Sequence, residues 1–269
     1  MNPGLERSAP LLEAWQAPIL DQARLRPLDP LEGGDRYKSL SRGVREVLTV
    51  LLADASLELV PSKLVGERRV AKVAARRRKR PSEILLDASS LGPDFVRRVD
   101  PTGKRGRPDV VHRSLLALVD SPLWVEGGLD IVMHTVEGRV FLAKPGLRPP
   151  RSYNRFVGLM EELLTQGWVG QREDPLIWEV NRSLKDLVDQ IRPDLVLGLS
   201  REGGLANPLE VLDPELEILA VVGCFPAGDF SREVKEIFDT ELSLHEETLS
   251  ASTVASAVAW FYYYRVRWG

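Results

Sequence analysis

At 269 residues with 43% of them apolar, the chain is long enough for one sizeable core or a compact domain with an appendage, and no apolar stretch approaches the roughly 18 residues of a membrane span. A single cysteine, Cys224, excludes an internal disulfide, and Cys224 with His112, His134 and His245 is too scattered a set for a metal site. The net charge of -3 gives no overall pull toward nucleic acid, and the N-terminus lacks the basic start and apolar run of an export signal, so a cytoplasmic protein without membrane or metal is expected.

Residues 1–45 are rich in Pro, Gly and charge without a sustained period, and the helix-like spacings within 9–25 are broken by Pro10 and Pro18. They read as a partly disordered N-terminal extension, with the folded domain over 46–269. The apolar run 47–53, closed by Asp54, predicts a strand buried on both faces and hence a parallel sheet. Val70, Val73 and Ala74 predict a basic amphipathic helix over 66–80, ended by Pro81 ahead of a second strand at 83–86.

Pro108 and Asp109 open a helix over 107–118 with Arg107 at its mouth. Segments 129–135 and 139–143, joined through Glu137 and Gly138, form a predicted hairpin. A helix follows over 153–166, then strands at 194–199 and 217–223 and a long final helix over 250–264, an α/β ending.

Charge is segregated along this order. Between Lys63 and Arg80 nine Lys or Arg face Glu67 alone, two further basic clusters span 97–113 and 144–155, and the balance turns acidic beyond Gln171. In KRGRPDVVH, Asp109 stands two places after Arg107 and is suited to fix its guanidinium, a planar fork that reads phosphate or a base edge. A solvated basic turn capped by Asp109 fits the same spacing, and both readings stay open here.

In RPPRSYNRF, a helical or near-helical path would gather Arg148, Arg151 and Arg155 on one side, where like charges call for an anion. Tyr153 and Phe156 are interleaved with them; stacking on a base is one reading, and core packing is favoured for Phe156. The tract 75–80 is read first as a soluble helix end. The loops LGLSREGG, VVGCFPAGDF and LSLHEETLSAS fit no nucleotide phosphate-binding spacing, but the glycines of the first two allow close backbone approach to a ligand. His245 reads as a surface histidine and Cys224 as a small buried hydrophobe rather than a nucleophile. No serine nucleophile elbow is present.

The stretches LLADASLELVP, KRGRPDVVH, LLALVDSPL, RPPRSYNRFVGLMEELL, VVGCFPAGDF and LSLHEETLSAS, in that order, resemble the small-subunit ribosomal RNA pseudouridine methyltransferases, the nucleolar essential protein family of the SPOUT superfamily. The resemblance covers about 47–269, with Ala227 where the family commonly has histidine and Thr248 where it commonly has proline. It implies an α/β domain with a parallel sheet core, a small α/β insertion and a trefoil-knotted C-terminal part over about 194–269. It further implies S-adenosylmethionine bound by Leu199, Gly223, Gly228, Asp229, Phe230, Leu244, His245, Glu246, Glu247, Thr248 and Leu249.

RNA contacts carry over to Arg107, braced by Asp109, and to Arg148, Arg151 and Arg155; no residue is assigned as a general base. The implied activity is methylation of N1 of a pseudouridine in small-subunit ribosomal RNA during ribosome biogenesis, by a homodimer. An rRNA-binding assembly factor independent of catalysis and a SPOUT tRNA methyltransferase are the alternatives.

Overall fold

The computed structural model describes residues 47–269, so the expected N-terminal extension lies outside the described residues. Strand β1 (Leu48–Ala55) is buried throughout, and its side chains serve two cores in turn: Leu48, Val50 and Leu52 one face, Leu51 and Ala53 the other. That two-sided burial is what a continuous apolar run encodes.

Eight strands form one sheet in the order β4-β5-β3-β2-β1-β7-β6-β8. Strands β2 (Leu129–Thr135), β7 (Ile218–Gly223), β6 (Leu195–Leu205) and β8 (Thr240–Ser243) run parallel with β1. Strands β3 (Val140–Ala143), β5 (Asp174–Val180) and β4 (Trp168–Gln171) extend it antiparallel from β2. The expected hairpin is β2-β3, turning through Gly138 at φ 79°.

Helices α4 (Pro108–Val119), α5 (Pro122–Val125), α6 (Tyr153–Gln166) and α10 (Ala251–Trp268) contribute to the larger core on one face. Helices α7 (Leu184–Ile191) and α9 (Arg232–Lys235) contribute Leu184, Leu187 and Val234 to the other, while α8 (Pro208–Val211) joins β6 to β7. A satellite core of Val60, Val70, Val73, Ile84, Leu86, Phe95 and Val96 gathers α1 (Arg68–Arg77), α2 (Ala88–Leu91) and α3 (Pro93–Val99). This three-helix lobe sits between β1 and α4 in the chain and carries the basic helix α1.

Three expectations need correction. The strand at 83–86 does not form: Pro81 starts a single 3-10 turn (Pro81–Glu83), and Ile84, Leu85 and Leu86 are buried in irregular backbone with one isolated bridge from Leu85 to Leu59. Asp54 does not close β1 but lies within it, at a left-handed φ of 48° that turns the strand end. Arg148 and Arg151 are not on a helical path, because α6 starts at Tyr153 after Pro149 and Pro150. Strands β4, β5 and β8 and helix α7 are additions to the elements read from the sequence.

Candidate functional site

The site begins where the end of β1 locks onto the turn before α4. Asp54, near the end of β1, and Ser56 and Glu58, just beyond it, each engage one residue of that turn. Lys104 Nζ donates to Asp54 at 2.8 Å, the Arg107 backbone N–H donates to Ser56 Oγ at 2.8 Å, and Arg105 Nε donates to Glu58 at 2.7 Å. Glu58 is fully buried; desolvation pushes its carboxyl up, and Arg105 opposes that push. Gly106 at the centre has φ 73°, and a Cβ there would stand 2.5 Å from Val96, so only glycine fits.

Lys104 also reaches across the sheet. It donates to the Asp229 carbonyl at 2.7 Å and lies 4.4 Å from the Phe225 ring centre, while Asp54 accepts from the Ser231 N–H at 2.6 Å and from its hydroxyl at 2.8 Å. The pair thus holds the loop after β7, which carries Gly228, Asp229 and Phe230. Behind it, buried His134 receives the Asp54 N–H at Nδ1 (3.4 Å), and desolvation lowers its pKa below the ordinary value.

Arg107 is the N-cap of α4. Its Nε and Nη2 donate to the two Asp109 oxygens at 2.6 and 2.8 Å, and Arg113 adds a bond to Asp109 at 2.6 Å. The hydrogen bond from Arg107, and then the charges of both arginines, hold the Asp109 carboxyl below its usual range. Arg107 is thereby fixed with one edge of its guanidinium occupied.

Beside Arg107 opens a cleft of about 670 Å³ at the C-terminal ends of the parallel strands β6, β7 and β8, the place where open α/β sheets bind ligands. Of the residues proposed for the cofactor, Leu199, Gly223, Gly228, Asp229, Phe230, Leu244, His245, Glu247, Thr248 and Leu249 line it, and Glu246 does not. The register of β6 against β8 shifts between Leu199 and Gly204, so Ser200, Arg201 and Glu202 bulge into the cleft wall. A Cβ on Gly223 would lie 2.9 Å from the Phe225 ring, so a side chain there would crowd the cleft floor.

His245 is exposed, with Nδ1 accepting the Glu247 N–H at 2.9 Å. Cys224 is fully buried and its thiol is pushed up to about 12, which removes it as a nucleophile.

Arg148, Arg151 and Arg155 are exposed and outside the cleft lining. Arg151 donates two bonds to Asp120, at 2.6 and 2.7 Å. The segment is fastened by His112 of α4, whose Nε2 is 2.7 Å from the Pro150 carbonyl and whose ring stacks on Phe156 at 4.4 Å. Phe156 is fully buried, the core role favoured for it. Tyr153 is half-buried, and desolvation followed by the Asp87 carboxylate raises its phenol well above the ordinary value.

Sequence reasoning missed the interlock of Asp54, Ser56 and Glu58 with Lys104, Arg105 and Arg107. The signal was present as polar residues at positions 54, 56 and 58, at and just beyond the end of a largely apolar strand, beside an unmatched run of basic residues. Among the described residues no group of three potential metal ligands is present, and no helix is long and apolar enough to cross a membrane.

The family model described as EMG1/NEP1 methyltransferase matches residues 50–262. The ribosomal RNA small subunit methyltransferase Nep1 of Staphylothermus marinus is 38% identical over 218 residues, covering 80% of this chain and 94% of that protein. The protein of the same name from Thermococcus kodakarensis is 39% identical over 215 residues, 79% and 96%. Among solved structures, Archaeoglobus fulgidus Nep1 bound to S-adenosylhomocysteine superposes with a TM-score of 0.72 at 37% identity, covering 82% of this chain and 98% of that one.

Proposed function

We propose that this chain, which belongs to the EMG1/NEP1 methyltransferase family, methylates N1 of a pseudouridine in small-subunit ribosomal RNA. It is an S-adenosylmethionine-dependent methyltransferase of that RNA; the pseudouridine and its N1 are the finer assignment. The observation that carries the reading is the adjacency of two surfaces: a cofactor-sized cleft and, on its rim, an arginine held in one orientation by Asp109.

The cleft suits the cofactor. Its volume falls within the roughly 300–1,000 Å³ usual for small-molecule sites. Leu199, Val222, Phe230 and Leu249 offer apolar surface to an adenosine, and Glu202 and Glu247 bring negative charge toward a cationic sulfonium and ammonium. S-adenosylmethionine supplies an electrophilic methyl that needs in-line approach by the acceptor nitrogen.

The chain's own part is alignment, a contribution worth about 7–11 kcal/mol when reacting atoms are well oriented. Lys104 and Asp54 set the loop that forms one wall. Arg107 stands where cleft and RNA surface meet, and Arg148, Arg151 and Arg155 would hold phosphates flanking a base turned out of its stack. N1 of pseudouridine carries a proton, whereas N1 of uridine is the glycosidic atom, so the chemistry itself discriminates. With the cofactor held in the cleft, the N1–methyl bond would form as the sulfur–methyl bond broke, and the N1 proton would pass to solvent.

Family membership and the return of α10 across β1 and β7 also support a trefoil-knotted segment over about 194–269 and the domain limits 46–269. A homodimer fits the exposed aromatic stripe of α10, and the cytoplasm fits a ribosomal RNA substrate. Methyl transfer is to be compared on a small-subunit rRNA hairpin and on tRNA. Transfer to the hairpin alone is expected; transfer to tRNA alone would replace the substrate, and tight hairpin binding with no transfer would favour the assembly-factor role.

A further inference from the structure

On α1, Arg68, Lys72 and Arg76 recur every four residues and are all exposed, with Arg69, Ala71 and Ala75 the other exposed residues of the helix. Neighbouring basic residues have acidic partners: Arg69 with Asp94, Arg98 with Glu67, Arg80 with Glu83, and Arg77 with Glu161. Arg68, Lys72, Arg76 and the helix-capping Arg78 have no such partner among the described residues. The arrangement works against the helix itself. Like charges four apart each cost about 0.2–0.5 kcal/mol, and Arg68 faces the positive end of the helix dipole in a first turn without acid. Among the described residues no acidic side chain offsets this, and a bound anion would supply the partner.

The stripe continues the arginine surface described above. Arg77 pairs with Glu161 of α6, and Lys79 Nζ lies 3.1 Å from the same carboxylate and 3.5 Å from the Gly158 carbonyl. Gly158 is three residues, about one helical turn, beyond Arg155. The C-terminal end of α1 is therefore docked beside the helix that carries Arg155. From there the cations recede along α1 at intervals of about 6 Å, set by the helical rise.

We infer that Arg68, Lys72 and Arg76 form a second RNA-contacting surface, which tracks the phosphates of the strand leaving the target loop past Arg155. The inference rests on the RNA substrate proposed above and deepens it: the enzyme grips RNA beyond the modified loop. With about 0.7 in salt slope per phosphate on single strands, three contacts contribute about 2.

The test measures binding of the full chain to the rRNA hairpin with and without single-stranded flanks, over a range of salt, for the native protein and for R68A/K72A/R76A. The native protein is expected to bind the flanked RNA more tightly, and the variant to lose that advantage with its salt slope reduced by about 2. R68K/R76K, which keeps the charges, is expected to retain it. An unchanged slope and an unchanged preference for flanked RNA in the alanine variant would overturn the proposal. So would a variant that loses only its retention on phosphatidylserine vesicles. Methyl transfer, read separately, tests the catalytic reading: a reduced slope in a chain that transfers no methyl would count against that reading and still support this surface.

Discussion

Asp109 and His134 place opposite demands on protonation. Asp109 accepts from Arg107 and Arg113 and is held ionised, so it is a poor base and a good brace. Asp109→Asn is expected to weaken hairpin binding about tenfold, roughly 1.4 kcal/mol, by releasing Arg107, with turnover at saturating RNA largely kept. An Asp109→Asn enzyme that folds, binds RNA normally and loses all turnover would make Asp109 catalytic instead.

His134 is buried beside Asp54 and faces Glu233 and Lys104, and desolvation outweighs the two carboxylates in lowering its pKa below 6.5. Unfolded, the imidazole takes up its proton near 6.5; folded, it resists. Its contribution is therefore complete above that value and shrinks as pH falls toward the folded pKa. The Tm is expected to drop more steeply between about pH 7.5 and about pH 5.5 in the native protein than in His134→Gln. Parallel slopes would contradict this account of the site.

The interlock of the β1 end with the turn before α4 is the element that ties the loop after β7 to the segment carrying Arg107. Arg105 neutralises a carboxylate with no exposure, and removing one partner of such a pair costs about 3–5 kcal/mol. Urea unfolding of Arg105→Ala is expected to show a loss of that order, partly restored by adding Glu58→Leu; a loss within about 0.5 kcal/mol would mean the interlock is incidental. How legible an element was follows from its burial. β1, α4 and α6 were readable because their apolar residues lie on faces that are packed in full. The edge hairpin β4-β5 was not, since β4 is four residues with two exposed and β5 begins with Asp174 and Pro175 and turns Leu176 outward. β8 was missed as a four-residue edge strand with three half-buried positions, and Ile84 to Leu86 misled because Ile84 and Leu86 are buried in the satellite core and Leu85 in the larger one, without a strand. The cleft residues entered through resemblance rather than periodicity, since they lie at strand ends and in loops without a repeating spacing.

At the scale of the whole molecule, α10 presents Trp260, Tyr264 and Trp268 at four-residue spacing, 52%, 50% and 64% exposed. Exposed aromatic surface of this kind is what an association site would use. The native chain is expected to sediment as a dimer, and Trp260→Glu with Trp268→Glu as a monomer; a native monomer at micromolar concentration would contradict the dimer. In the proposed reading the lobe containing α1 and the rim at Arg107 would hold RNA, and the cleft beside Arg107 the methyl donor. The most direct test is transfer of labelled methyl from S-adenosylmethionine to a small-subunit rRNA hairpin carrying either pseudouridine or uridine in its loop. The account predicts transfer to the pseudouridine hairpin alone; equal labelling of both, or labelling of neither, would contradict it.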